Sequence, residues 1–151
     1  MISNIVVTDD GTESSEKAIE QASELAKQLN AHLTLFHVID NIEVPASLIL
    51  GNDRVLIERA RKSTAQALEK GWNKRAMEKI EKLNERKIIT DSKCLTGHAA
   101  ETILEFADAN RADIIVMGAS RRLKGVSKIK ALGSVTRKVS ELANCPVLIV
   151  H

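Results

Sequence analysis

Two spacings of apolar residues alternate along this chain. Ile5-Val6-Val7, Leu33 to Ile39, and Ile114-Ile115-Val116-Met117 are short continuous apolar runs, the pattern of strands covered on both faces. Between them, apolar residues recur every three or four positions: Ala18, Ala22, Leu25, Ala26 and Leu29; then Ala65, Leu68, Trp72, Ala76, Ile80 and Leu83; then Ala100, Ile103, Leu104 and Ala107. That spacing gives one buried face per helix. A fourth repeat, Leu132, Val135, Val139 and Leu142, precedes a last run, Val147 to Val150. Ile88 to Leu95 is a more polar strand, suited to a sheet edge. The pattern reads β-α-β-α-β-α-β-α-β. It predicts an α/β fold: a parallel sheet with helices on both faces, joined by right-handed crossovers.

Local signals punctuate these elements. Thr12 or Ser14 suits the cap of the first helix, Glu13 and Glu16 its first turn, and Asn30 its end. The long second helix, about Arg54 to Arg86, contains Gly71, which costs about 1 kcal/mol relative to alanine and allows a bend. Pro146 enters the last strand at its first position, where the missing N–H is tolerated. The connection from Asp40 to Asp53 carries Pro45 and Gly51 among apolar residues and is expected to fold over something. No repeat or low-complexity linker interrupts the 151 residues, so one domain, 1–151, is expected.

Composition narrows the function. The net charge of +2 is small, but no acidic residue occurs from Ile114 to Ser140, where Arg121, Arg122, Lys124, Lys128 and Lys130 crowd one loop. Gly118 leaves the fourth strand with backbone angles closed to other residues as an option, and Gly133 and Ser134 open the next helix. A helix start presents unpaired N–H groups and attracts anions, so the stretch predicts a phosphate site at the end of a central strand. Ser134 would cap that helix and bind phosphate. Aromatic residues make up 2% of the chain, which removes the stacking platforms that single-stranded nucleic acid needs. His32, His37, His98 and His151 have no metal-ligand spacing with each other or with Cys94 and Cys145, so no metal site is expected. His37 reads as a satisfied core histidine, and each cysteine as a small buried hydrophobe. No apolar run reaches the length of about 20 residues that crosses a bilayer, and the first strand begins near Met1 without room for a signal peptide; a cytoplasmic protein is expected.

Several segments together carry a family resemblance. They are Asp10-Gly11-Thr12-Glu13, Leu33-Thr34-Leu35-Phe36-His37-Val38, Gly97-His98-Ala99-Ala100-Glu101, Ala112 to Gly118, Gly133-Ser134-Val135, and Cys145-Pro146-Val147-Leu148-Ile149-Val150. In this order and spacing the chain resembles the universal stress protein family over its whole length. The resemblance implies a Rossmann-like, adenine nucleotide alpha hydrolase-like sheet of five parallel strands, order 3-2-1-4-5. It implies a cytoplasmic stress-response regulator that forms homodimers, and in one branch binds ATP, with magnesium on the phosphates, at the ends of strands one and four. Carried onto this sequence, Asp10 contacts the nucleoside, Val38 lines the adenine pocket, and Met117, Gly118, Gly133, Ser134 and Val135 complete the site. The branch motif spaces two glycines by two residues and a third by nine more. Here Arg121 replaces the middle glycine and eleven residues separate it from Gly133. Arg121 or Arg122 would then hold phosphate through a bidentate pair.

No nucleophile elbow, Walker loop or dinucleotide fingerprint is present, and no base for an attacking water is named, so at most slow ATP hydrolysis is expected. Rival readings are a dimeric interaction module without nucleotide, a weak ATPase, and a basic loop on nucleic acid, which lacks supporting motifs. Strand five, Val147, Leu148, Ile149 and Val150, is the exposed edge along which a homodimer would pair; the protein partner and the stress signal are not named by the sequence.

Overall fold

The computed structural model describes residues 1–41, 53–119 and 132–151. The loop basic residues Arg121, Arg122, Lys124, Lys128 and Lys130, and the apolar connection after Asn41, lie outside the described residues. In chain order the elements are β1 (Asn4–Thr8), α1 (Glu13–Leu29), β2 (His32–Asp40), α2 (Asp53–Glu85), β3 (Thr90–Gly97), α3 (Ala99–Ala109), β4 (Ile114–Gly118), α4 (Ser134–Leu142) and β5 (Val147–Val150). The five strands form one parallel sheet of order β3-β2-β1-β4-β5. The polar strand β3 is an edge, as its composition predicts.

Side chains alternate across each strand, and the sheet therefore separates two cores. Ile5, Val7, Leu33, Leu35 and Val116 face α1 and α2, where they meet Ala18, Ala22, Ala26, Trp72, Ala76 and Leu83. Val6, Phe36, Ile115 and Met117 face the other layer and meet Ile103, Ala107 and Val139. Phe36 stacks on Phe106 of α3 with ring centroids 4.1 Å apart. The alanine face of α1 lets that helix sit close on the sheet, which matters at the site below.

Caps follow the sequence signals. Thr12 Oγ1 accepts the Ser15 N–H at 3.2 Å, and Asn30 ends α1 in the left-handed region at φ 54°. Helix α2 runs unbroken through Gly71. Its predicted apolar stripe is only partly buried: Trp72, Ala76 and Leu83 are in the core, but Leu68 is 51% exposed. The reason is length. Thirty-three residues of helix extend about 50 Å at about 1.5 Å per residue. The nine residues of β2 cover only about 30 Å. The first half of α2 therefore overhangs the sheet. Leu142, expected on the inner face of α4, is 56% exposed at the helix end. Cys94 is buried and Cys145 half-buried.

Candidate functional site

Chain direction across the sheet reverses between β1 and β4. From β1 the chain steps to β2 and β3 through α1 and α2 on one face; it then crosses to β4 and β5 through α3 and α4 on the other. Such a switch point leaves a crevice at the carboxyl ends of the two central strands. Three short segments meet its rim: Asp9 to Thr12 after β1, Gly118 at the end of β4, and Gly133-Ser134 at the start of α4.

The β1 segment is a polar turn with defined bonds. Asp10 is exposed, and its Oδ1 accepts the Thr12 N–H at 3.0 Å and the Thr12 hydroxyl at 2.5 Å. Partial burial pushes the Asp10 carboxyl up, and hydrogen bonds from Thr12 and Ser15 outweigh it, holding the group below the ordinary carboxylate range. Gly11 has φ +77°, a conformation that favours glycine.

Asp9, next to it, is 3% exposed. Its Oδ2 accepts from Lys79 Nζ of α2 at 2.7 Å, and its Oδ1 accepts the Gly11 N–H at 3.1 Å. Lys79 also reaches Glu16 Oε1 at 2.5 Å. Burial pulls the Lys79 ammonium down, but these two carboxylates outweigh it and leave the group raised. His37 Nδ1 lies 2.6 Å from the Asp9 carbonyl oxygen, and the imidazole stacks on Trp72 at 5.5 Å. The core reading of His37 fits this arrangement.

Gly118 is glycine for a reason of space. Its φ is not positive, since Gly11 alone among the described glycines has that conformation. A β-carbon there would stand 2.6 Å from the Ser14 carbonyl carbon and 2.7 Å from its oxygen. The Gly118 carbonyl accepts from Thr136 Oγ1 at 3.2 Å, so the end of β4 also holds the first turn of α4. Gly133, not Ser134, is the N-cap of α4, and no side chain among the described residues caps that helix. Ser134 is an exposed first helical residue. The first N–H groups of α4 thus have no side-chain acceptor among the described residues. Val38, Met117 and Val135 belong to one apolar cluster on the α3/α4 face. His98 is the N-cap of α3, with no side-chain cap bond.

Sequence reasoning passed over Lys79 and Thr136, and saw Ser14 only as a candidate helix cap. Lys79 had a visible signal: it falls on the stripe Trp72, Ala76, Leu83 at helical spacing, where an unpaired ammonium is costly.

The sequence profile of the Universal stress protein family matches residues 1–151. The chain belongs to the universal stress protein family. A relative in Bacillus subtilis, universal stress protein YxiE, is 33% identical over 158 residues, covering 100% of both chains. Among solved structures, a universal stress protein in complex with cAMP superposes with TM-score 0.63 at 24% identity, covering 99% of this chain and 97% of that one. The Archaeoglobus fulgidus universal stress protein in complex with dAMP superposes with TM-score 0.62 at 19% identity, with 100% of each chain covered. At these identities the structural likeness concerns the shared universal stress protein fold. In this member no described helix is long and apolar enough to cross a membrane.

Proposed function

We propose that this universal stress protein binds an adenine nucleotide, ATP with its magnesium, in the crevice at the ends of β1 and β4, and that it acts as a cytoplasmic stress-response regulator. The observation that carries the reading is the junction of Gly118 with α4. The Thr136 bond brings a helix start, whose N–H groups have no side-chain cap among the described residues, to the end of a central strand. Asp10, exposed and ionised, supplies a carboxylate for hydroxyl or amino groups of the nucleoside; Thr12 occupies its Oδ1 among the described residues, which leaves Oδ2 to face the ligand. Val38, Met117 and Val135 form the apolar wall. Arg121 and Arg122 hold phosphate in place of the missing glycine. The two structural relatives solved with cAMP and dAMP support an adenine ligand. We read the site as one for binding with at most slow turnover, since the sequence names no base for an attacking water. The protein pairs as a homodimer along β5, whose residues Val147 to Val150 form the free edge of the sheet.

Calorimetric titration of ATP and magnesium into the wild type and Gly133→Val tests this. Gly133 has φ −61° and ψ 155°, angles open to any residue, so valine adds bulk at the helix start without backbone strain. Micromolar binding abolished by the substitution is expected. No heat at millimolar ATP refutes the reading. Sedimentation at micromolar concentration is expected to give a dimer.

Arg121 in the place of the middle glycine favours a second reading, an interaction module of the same fold that works through its dimer surface. Absence of ATP binding selects it.

A further inference from the structure

We propose that Asp9 and Lys79 are positioning residues for the nucleoside end of this site: their ion pair, buried at Asp9 and partly exposed at Lys79, fixes the turn that presents Asp10. The inference rests on the adenine nucleotide reading above and adds to it the part of the chain that aims the carboxylate.

Asp9 is gripped through backbone and side chain together. Its N–H donates to the Phe36 carbonyl at 2.8 Å, and its own carbonyl takes His37 Nδ1 at 2.6 Å. Its Oδ2 is held by Lys79 at 2.7 Å, and its Oδ1 holds the Gly11 N–H at 3.1 Å. Asp10 therefore sits between two fixed points, the Asp9 carbonyl before it and the Gly11 nitrogen after it. Gly11 takes φ +77°, a value the chain adopts here while its N–H points back at Asp9. The Asp10 Oδ1 is then closed by Thr12. Each bond removes one way for the Asp10 side chain to turn.

Lys79 supplies the charge that keeps Asp9 an acceptor in a buried place. A carboxylate at 3% exposure without a cation would be strongly disfavoured. The ammonium comes from α2, whose Trp72 and Ala76 join the core on the same face of the sheet. A buried ion pair is a poor device for stability alone, because an apolar pair of similar volume serves the fold equally well. What an apolar pair lacks is the Oδ1 acceptor that holds Gly11.

The test therefore compares Lys79→Met with the double variant Asp9→Val/Lys79→Met. The double variant removes both charges and keeps the volume, so it folds even where the single one fails. Amide hydrogen exchange in the ligand-free proteins is the first readout. Exchange at Gly11 and Thr12 is expected to rise about tenfold or more in the double variant, while Val6 and Val7 in β1 stay protected. The second readout is ATP affinity in a cycle with Asp10→Ala. Each change alone is expected to weaken ATP about tenfold, and the combination also about tenfold, because both act through the same carboxylate. Lys79→Arg is expected to keep both properties. Unchanged exchange at Gly11, or additive losses near about a hundredfold, overturns the proposal. If the wild type binds no ATP, the functional reading fails, and the exchange result alone decides whether the pair holds the turn.

Discussion

Gly118 and Ser14 touch so closely that no side chain fits between them: a β-carbon on Gly118 would lie 2.6 Å from the Ser14 carbonyl carbon. The end of β4 and the first turn of α1 are thus packed backbone to backbone. Gly118→Ala is expected to lower unfolding stability by about 1–3 kcal/mol, the range for overpacking, measured by urea denaturation. It would also disturb any ligand at the crevice, so it makes a poor test of binding alone. Gly133→Val, at an unstrained helix cap, is expected to stay within about 1 kcal/mol of the wild type.

The two leucines of α2 should behave oppositely. Leu83 is buried in the core between α2 and the sheet, whereas Leu68 stands on the overhang. Leu83→Ala is expected to cost about 2–5 kcal/mol. Leu68→Ala is expected to fall within about 0.5 kcal/mol of zero. Equal losses in urea titrations would mean that the overhanging half is covered in solution.

Asp113 ties the starts of β1 and β4 together. Its Oδ2 accepts the N–H groups of Ser3 and Asn4 at 2.8 and 2.9 Å and the Ser3 hydroxyl at 3.1 Å. These bonds favour the charged form and hold the carboxyl below its ordinary 3.8. A lowered acid stabilises the fold above its unfolded value and loses that contribution as pH falls through the folded one. Asp113→Asn is therefore expected to be less stable than wild type at neutral pH. The gap is expected to close as pH falls from 3.8 downward, as read from melting temperatures across that range.

Cys94 is expected to react slowly as a thiol. Burial, with a smaller contribution from Glu69, pushes it from 9.0 up to about 11. The thiolate is the reactive form, so at a pH near 8 its reaction with a disulfide reagent is expected to be about 100-fold slower than that of a free thiol, from the shift between 9.0 and about 11. Denaturant should restore the ordinary rate.

The architecture was readable because continuous apolar runs and period-3.6 patterns report burial directly. Ile5 and Val7 against Val6 already assign two faces, and the polar strand β3 declares itself an edge. Caps were readable too, since Thr12 and Asn30 act within a few residues of themselves. Two kinds of feature were not. Gly118 looked like a residue chosen for its angles, but its role is a close approach to Ser14, 104 positions away in the chain, which no local pattern encodes. Leu68 fits the same helical stripe as Leu83, yet a stripe cannot say where the sheet beneath it stops. The site is intermediate: Asp10 and Val38 come from the family pattern and Gly133 from its place at a helix start as well, whereas the Asp9–Lys79 pair joins residues 70 apart that only the packing of α2 brings together.

The overhang of α2 has a practical side. From Arg59 to Lys70 it exposes Arg59, Ser63, Gln66 and Lys70 in successive turns, beyond the sheet whose cores Trp72, Ala76 and Leu83 help to close. A rigid rod anchored at one end and open at the other is a natural handle. Cysteine at Ser63 or Gln66 would carry a fluorophore or spin label on a helix fixed to the sheet. Distances measured between two such labels in an assembled particle would report the relative orientation of its subunits without touching β5.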